Sequence, residues 1–312
     1  MTLRSFENLR VAVLGCGRMG RLRLAALERM SVQVLGVHDP APSAIAEGAP
    51  GHPVLASIAD LPLANLDAVF LCTPPDRRSE VEAACIEAGV AFFAEKPLGP
   101  NAKAGLETLA LLRRKPVITA VGYMNRYRAS VNAVRAIARK ERVLGLSAKW
   151  LGGAYARDWW QDSARSGGPV NEQATHLVDL VRYLGGEVAE VAALGDTEHG
   201  RNCSVAMTLE SGARATLLYS CEATTKSISM ELVTTQGTQR LDGWAFADPS
   251  APEDPDPNEI FAVETEAFLK AVAEQEASLI GCDYGEALRT QRVVDAVHES
   301  MRAGATVRPE GL

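Results

Sequence analysis

Val11-Ala12-Val13-Leu14-Gly15-Cys16-Gly17-Arg18-Met19-Gly20 is an apolar run that turns at Gly15 and sets glycines at the first, third and sixth places. An apolar-periodic segment follows directly, with Leu22, Ala25, Ala26 and Met30 at helical spacing. Strand, glycine turn and helix in that order make a dinucleotide-binding fingerprint. Gly15 allows the sharp turn, Gly17 lets a pyrophosphate approach the backbone, and Gly20 lets the helix pack close to the sheet. The helix start at Arg18 and Met19 aims its unpaired N–H groups and positive dipole end at the phosphates.

Outward from this turn, residues 32–39 read as a second strand ending in an acid. Asp39 lies nineteen residues past Gly20, where such folds place the carboxylate that binds the ribose hydroxyls. Capping the helix after Pro40 is the competing role. A carboxylate repels a 2′-phosphate, and Pro40, Ala41, Pro42 and Ser43 offer no cation to receive one. NAD is therefore expected over NADP, with Arg18 the cation in reach of the adenosine end. Expected strands at 67–72, 90–94 and 117–121 alternate with helices at 80–88 and 102–113. That alternation predicts an α/β, doubly wound parallel sheet, a Rossmann domain over residues 1–122.

The 312 residues suit about two domains, and 47% apolar with 23% charged residues is ordinary for a soluble globular protein. A net charge of −7 argues against nucleic acid or an anionic membrane as partner. No apolar run approaches a membrane span, and the first eight residues lack the apolar core of an export signal. The six cysteines form no C-x-x-C pair, so reduced thiols in the cytoplasm are expected. Cys16 reads as a small filler on the turn, with no histidine beside it to activate the thiol.

Glu95-Lys96-Pro97 falls just past the carboxyl end of an expected strand, where ligands bind in open α/β sheets. That place favours a functional lysine over an ordinary surface one. In the second half, Glu172, His176 and Asp179 stand four and three apart, which puts them on one face of a helix. A satisfied core histidine is one alternative. A metal site is the other, and it lacks a second histidine or cysteine, so no metal is expected. Trp159 and Trp160 sit on a loop before this helix, as a pocket wall or a domain-interface plug. Arg126, Arg128, Arg157 and Arg165 would make such a pocket cationic and suited to a carboxylate-bearing substrate. Residues 204–210, 214–221 and 228–235 alternate polar and apolar, the mark of half-exposed strands. Residues 248–257 read as an exposed Pro/Asp-rich loop, and helices at 259–276 and 285–303 follow.

The chain resembles the glucose–fructose oxidoreductase, inositol dehydrogenase and rhizopine-catabolism (Gfo/Idh/MocA) oxidoreductases over nearly its whole length. The resemblance rests on the 15–20 turn, Cys72-Thr73-Pro74-Pro75, Ala94-Glu95-Lys96-Pro97-Leu98, Gly122-Tyr123-Met124-Asn125-Arg126-Tyr127, Gly167-Gly168-Pro169 and the stretch from Glu172 to Asp179. It implies a catalytic Lys96, a Lys–Pro peptide that is often cis, and cofactor contacts from Met19, Thr73, Pro74 and Glu95. It also implies a second, α+β domain over residues 123–312 with an open, mostly antiparallel sheet. Relatives use that sheet's uncovered face to form dimers or tetramers, so a homo-oligomer is expected. Most relatives carry Asp where this chain has Glu172.

The expected activity is hydride transfer between NAD and a secondary alcohol or ketone of a sugar, polyol or sugar acid. Histidine's ordinary pKa of about 6.5 suits His176 to taking the hydroxyl proton, with Glu172 stabilising its charged form. Lys96 would hold the substrate oxygen, and the two roles are open to exchange. Arg126, Trp159 and Trp160 complete the expected substrate contacts. The rival readings are a hydrolase or lyase that uses NAD for transient oxidation, and a non-catalytic dinucleotide sensor.

Overall fold

The computed structural model describes residues 4–196, 200–250, 256 and 258–309. Most of the loop expected at 248–257, and the first three residues of the N-terminal stretch, lie outside the described residues. The chain runs β1 (Arg10–Leu14), α1 (Arg18–Arg29), β2 (Gln33–His38), α2 (Pro42–Gly48), β3 (Ala68–Leu71), α3 (Ser79–Ala88), β4 (Ala91–Ala94), α4 (Ala102–Arg114) and β5 (Thr119–Val121). It continues through α5 (Ala129–Ala138), β6 (Val143–Gly153), the short α6 (Asp158–Gln161) and α7 (Ser163–Ser166), and α8 (Thr175–Gly185). Strands β7 (Val188–Gly195), β8 (Asn202–Leu209), β9 (Arg214–Ser220), β10 (Glu222–Thr234) and β11 (Gly237–Asp242) precede α9 (Glu259–Glu274) and α10 (Tyr284–Ala303).

Strands β1 to β5 form a parallel sheet in the order β2-β1-β3-β4-β5. All of β3 and β4 is buried, as strands covered on both faces must be, which is why they read as unbroken apolar runs. The order reverses between β1 and β3, and the crevice at their carboxyl ends is where open α/β sheets hold ligands.

The chain divides into two compact units. The first comprises Met1–Gly99, Lys103–Met124 and Asn258–Gly285; the second comprises Pro100–Ala102, Asn125–Pro257 and Glu286–Leu312. The single cut expected at 122/123 falls beside the main crossover but does not separate the units. Helix α9 belongs to the first because the rings of Phe70 on β3 and Phe93 on β4 need cover. Phe268 meets both edge-on, at centroid separations of 5.4 and 5.6 Å.

The second unit holds a six-stranded sheet in the order β11-β10-β6-β9-β8-β7. Only β6 and β9 pair in parallel; the other neighbours are antiparallel. Val205, Met207, Leu217, Met230 and Leu232 turn inward and pack in one core with Leu177, Leu180 and Leu184 of α8. The alternate residues, among them Ser204, Ala206, Thr216 and Leu218, line an open groove of about 840 Å³ on the other face. Among the described residues no helix is long and apolar enough to cross a membrane.

Candidate cofactor and catalytic site

In the first unit the glycine turn is built by exclusion. Gly15 has φ +92°, and a Cβ there would stand 2.6 Å from the Cys72 carbonyl carbon and oxygen. A Cβ on Gly20 would lie 1.8 Å from the Gly15 carbonyl oxygen. Only hydrogen fits at either place, so β1's exit, the start of α1 and the Cys72-Thr73 segment after β3 come together without side chains between them. Gly17 differs: nothing lies within 4 Å of where its Cβ would be. Its backbone faces open space, and Arg18 beside it is exposed while Met19 is half-buried.

Asp39 supports this turn directly. Its Oδ2 accepts from the Cys16 N–H at 2.8 Å and its Oδ1 from the Ala41 N–H at 2.9 Å. It is half-buried, so the acid expected to bind ribose also ties the end of β2 to the glycine turn. Helix α2 starts without a side-chain cap, which removes the capping role. Burial, and then the Asp39 charge, push the Cys16 thiol up to about 11. That matches an inert filler.

Lys96 lies two residues past β4 and is half-buried, with a cis Lys96–Pro97 peptide. Thr73 and Pro74 are half-buried beyond β3. Two arginines missed in the sequence organise this end of the sheet. Arg78, at the start of α3, donates to the Thr73 carbonyl through Nε at 2.9 Å, and through Nη1 to the Glu95 carbonyl and, at 2.7 Å, to that of Pro97. Arg23 of α1 donates to Glu95 Oε1 through Nε at 3.0 Å and Nη2 at 2.7 Å, and to Glu264 Oε2 at 2.6 Å. Glu95, expected to contact the cofactor, therefore has its side chain engaged by α1. Its carboxylate is buried and paired with Arg23, as an acid removed from water must be.

In the second unit His176 is buried, 5% exposed, in the first turn of α8. Its ring stacks on Trp150 of β6, 5.7 Å between centroids and 9° between planes, and meets Trp244 edge-on at 6.4 Å. Glu172 is also buried, but it lies in a π-helical turn, Val170–Ala174, that precedes α8. The regular α-helical face expected for Glu172, His176 and Asp179 is thus broken at its first member. Asp179 serves another purpose. Its Oδ1 accepts from Arg126 Nη2 at 2.6 Å and its Oδ2 from Nε at 2.9 Å, while Thr290 Oγ1 donates to Oδ1 at 3.0 Å.

Those contacts involve Arg126, expected from the sequence to touch substrate. It is buried, bound to Asp179 and Glu286, and its guanidinium lies 4.8 Å from the Tyr183 ring centre. A guanidinium paired with two carboxylates braces α8. Arg128 is likewise buried and donates to Asn125 Oδ1, so two of the four arginines expected to make a cationic pocket are internal. The tryptophans divide: Trp160 is 1% exposed and part of the core, while Trp159 is half-buried at its edge. The aromatic neighbours of His176 are Trp150 and Trp244, which carry no sequence signal linking them to it. Among the described residues no three His, Cys, Asp or Glu side chains are grouped to hold a metal ion.

Comparison with known proteins agrees with this architecture. Residues 9–123 match an oxidoreductase family with an NAD-binding Rossmann fold, and residues 139–240 match the GFO/IDH/MocA C-terminal domain. Inositol 2-dehydrogenase of Rhizobium meliloti is 28% identical over 234 residues, 70% of each chain. Inositol 2-dehydrogenase of Corynebacterium glutamicum is 28% identical over 191 residues, 58% of this chain and 55% of that one. The curated relatives are spanned over 32% to 70% of their own length. The WlbA dehydrogenase from Bordetella pertussis, solved with NADH and UDP-GlcNAcA, shares the fold with a TM-score of 0.84 at 24% identity, over 100% of this chain and 99% of that one. With an NAD-binding Rossmann sheet, a mixed six-stranded second sheet and both family regions matched, the chain belongs to the Gfo/Idh/MocA oxidoreductase family.

Proposed function

We propose that this protein is an NAD-dependent dehydrogenase acting on a secondary alcohol of a sugar, polyol or sugar acid, or on the matching ketone. The observation that carries the proposal is the position of Lys96: past the carboxyl end of β4, in the same unit as the glycine turn, and tied through Arg78 to Thr73. The inositol dehydrogenases among its relatives, and the NADH and nucleotide-sugar ligands of the Bordetella enzyme, support the substrate class.

The residues present fit NAD. Open space at Gly17 leaves room for a pyrophosphate against the backbone, and the half-exposed Asp39 carboxylate stands beside the turn. Asp39 favours a ribose diol over a 2′-phosphate, so NAD is preferred to NADP. Bound NAD supplies the acceptor for the hydride. Lys96 holds the substrate oxygen and stabilises the negative charge that develops on it. His176 takes the hydroxyl proton, with Glu172 stabilising the imidazolium, and Trp159 contributes to the substrate wall. The protein self-associates through the open face of the second sheet, where Leu194 is 76% and Leu218 47% exposed. Ser204 pairs with both across the strands. Sedimentation is expected to give a dimer or tetramer, and monomer alone at micromolar concentration would remove that expectation.

A panel of inositols, sugars and sugar acids, each offered with NAD and with NADP, tests the function through NADH absorbance. Turnover with NAD of at least one member is expected. Product without net NADH would mark transient oxidation, and cofactor binding without any conversion would mark a sensor.

A further inference from the structure

Arg78 is 3% exposed and sits at the start of α3, yet its side chain does not cap that helix. Its guanidinium reaches three backbone carbonyls instead. Two of them, on Glu95 and Pro97, flank Lys96 on either side, and the third belongs to Thr73 beyond β3. One rigid fork therefore fixes the peptide before Lys96, the residue after it, and the neighbouring strand exit to which both are referred. The Glu95 side chain is held separately by Arg23, so the backbone approaching Lys96 is fixed by Arg78 and the adjoining side chain by α1.

We infer that Arg78 is the positioning residue for Lys96. It sets the direction in which the lysine leaves the sheet, without touching substrate or cofactor itself. This rests on the reading of Lys96 as a catalytic group. The geometry needs a guanidinium. Its planar donors reach carbonyls in several directions at once, whereas a lysine in its place would present a single point of charge. A misplacement of about 1 Å at a catalytic group costs roughly 10²-fold in rate, which sets the scale of the effect.

The test uses the full chain with its lysines reductively methylated with ¹³C and the Lys96 resonance identified by its loss in Lys96→Arg. Arg78→Ala should move that resonance towards the position of exposed lysines, and added guanidinium chloride at low concentration should bring it part of the way back. Arg78→Lys should resemble Arg78→Ala. Affinity for NAD should stay within roughly threefold of wild type. On whichever panel substrate is turned over, kcat should fall about 10²-fold with little change in KM for NAD. A Lys96 resonance in folded Arg78→Ala that coincides with wild type overturns the proposal. Should circular dichroism show Arg78→Ala unfolded, Arg78→Lys is read by the same criterion. Full turnover by Lys96→Met would remove Lys96 from the reaction, an outcome separate from the resonance measurement.

Discussion

A methyl group added at Gly20 would stand 1.8 Å from the Gly15 carbonyl oxygen, while one added at Gly17 meets no heavy atom within 4 Å. The two glycines therefore fail in different ways. Gly20→Ala should destabilise the protein by about 3 kcal/mol, since the backbone at the turn must shift, and thermal melting measures it. Gly17→Ala should melt close to wild type yet bind NAD about tenfold or more weakly, because the methyl fills space needed by the ligand. Calorimetric titration that finds unaltered affinity in Gly17→Ala would move the pyrophosphate elsewhere. The glycine turn, Asp39 and Lys96 were legible in the sequence because each depends on a short motif beside a strand. The partners of Arg23, Arg78 and Arg126 were not. Arg23 meets Glu95 and Glu264, 72 and 241 residues away, and no local pattern records such a pairing. Adjacent tryptophans posed a similar difficulty: a spacing of one residue does not say that Trp160 turns into the core and Trp159 stays at its edge.

Most strands and helices follow the periodicity of the sequence, and the departures have physical causes. Strands β7 and β11 stand at the two edges of the second sheet. Gly237-Thr238-Gln239-Arg240-Leu241-Asp242 has little β-propensity of its own and is extended through its pairing with β10. The π-helical turn before α8 shifts Glu172 out of the spacing expected for a plain α-helix. Helix α9 was legible as a helix, but its allegiance to the first unit depends on Phe70 and Phe93. Phe268→Ala should therefore cost about 4 kcal/mol in urea unfolding and weaken NAD binding through the first unit's core. A loss below 1 kcal/mol would argue that α9 is not part of that core. In α8, Asp179→Asn leaves the buried Arg126 short of a carboxylate, and a loss of about 3–5 kcal/mol is expected in the same measurement.

At the scale of the whole molecule, stability should depend on acid through His298 on α10. Burial, and then the nearby Arg302 charge, lower its pKa from 6.5 to about 4. The folded state holds the ring neutral while the unfolded chain takes up the proton, so the contribution is fully present above about pH 6.5 and lost as pH falls through about 4. The full effect is roughly 3 kcal/mol. His298→Gln should flatten this limb of a melting-temperature profile, and an unchanged profile would place the acid sensitivity on other groups. The two units give the family, the cofactor fold and the open sheet face, while the rings packed on His176, Trp150 and Trp244, come to it from distant strands and turns. The most direct measurement of the central claim is NADH formation under saturating NAD by wild type, Lys96→Met and His176→Ala on the best substrate of the panel. Both variants should lose at least about 10²-fold in turnover while still binding NAD; a wild-type rate in either would contradict the role assigned to that residue.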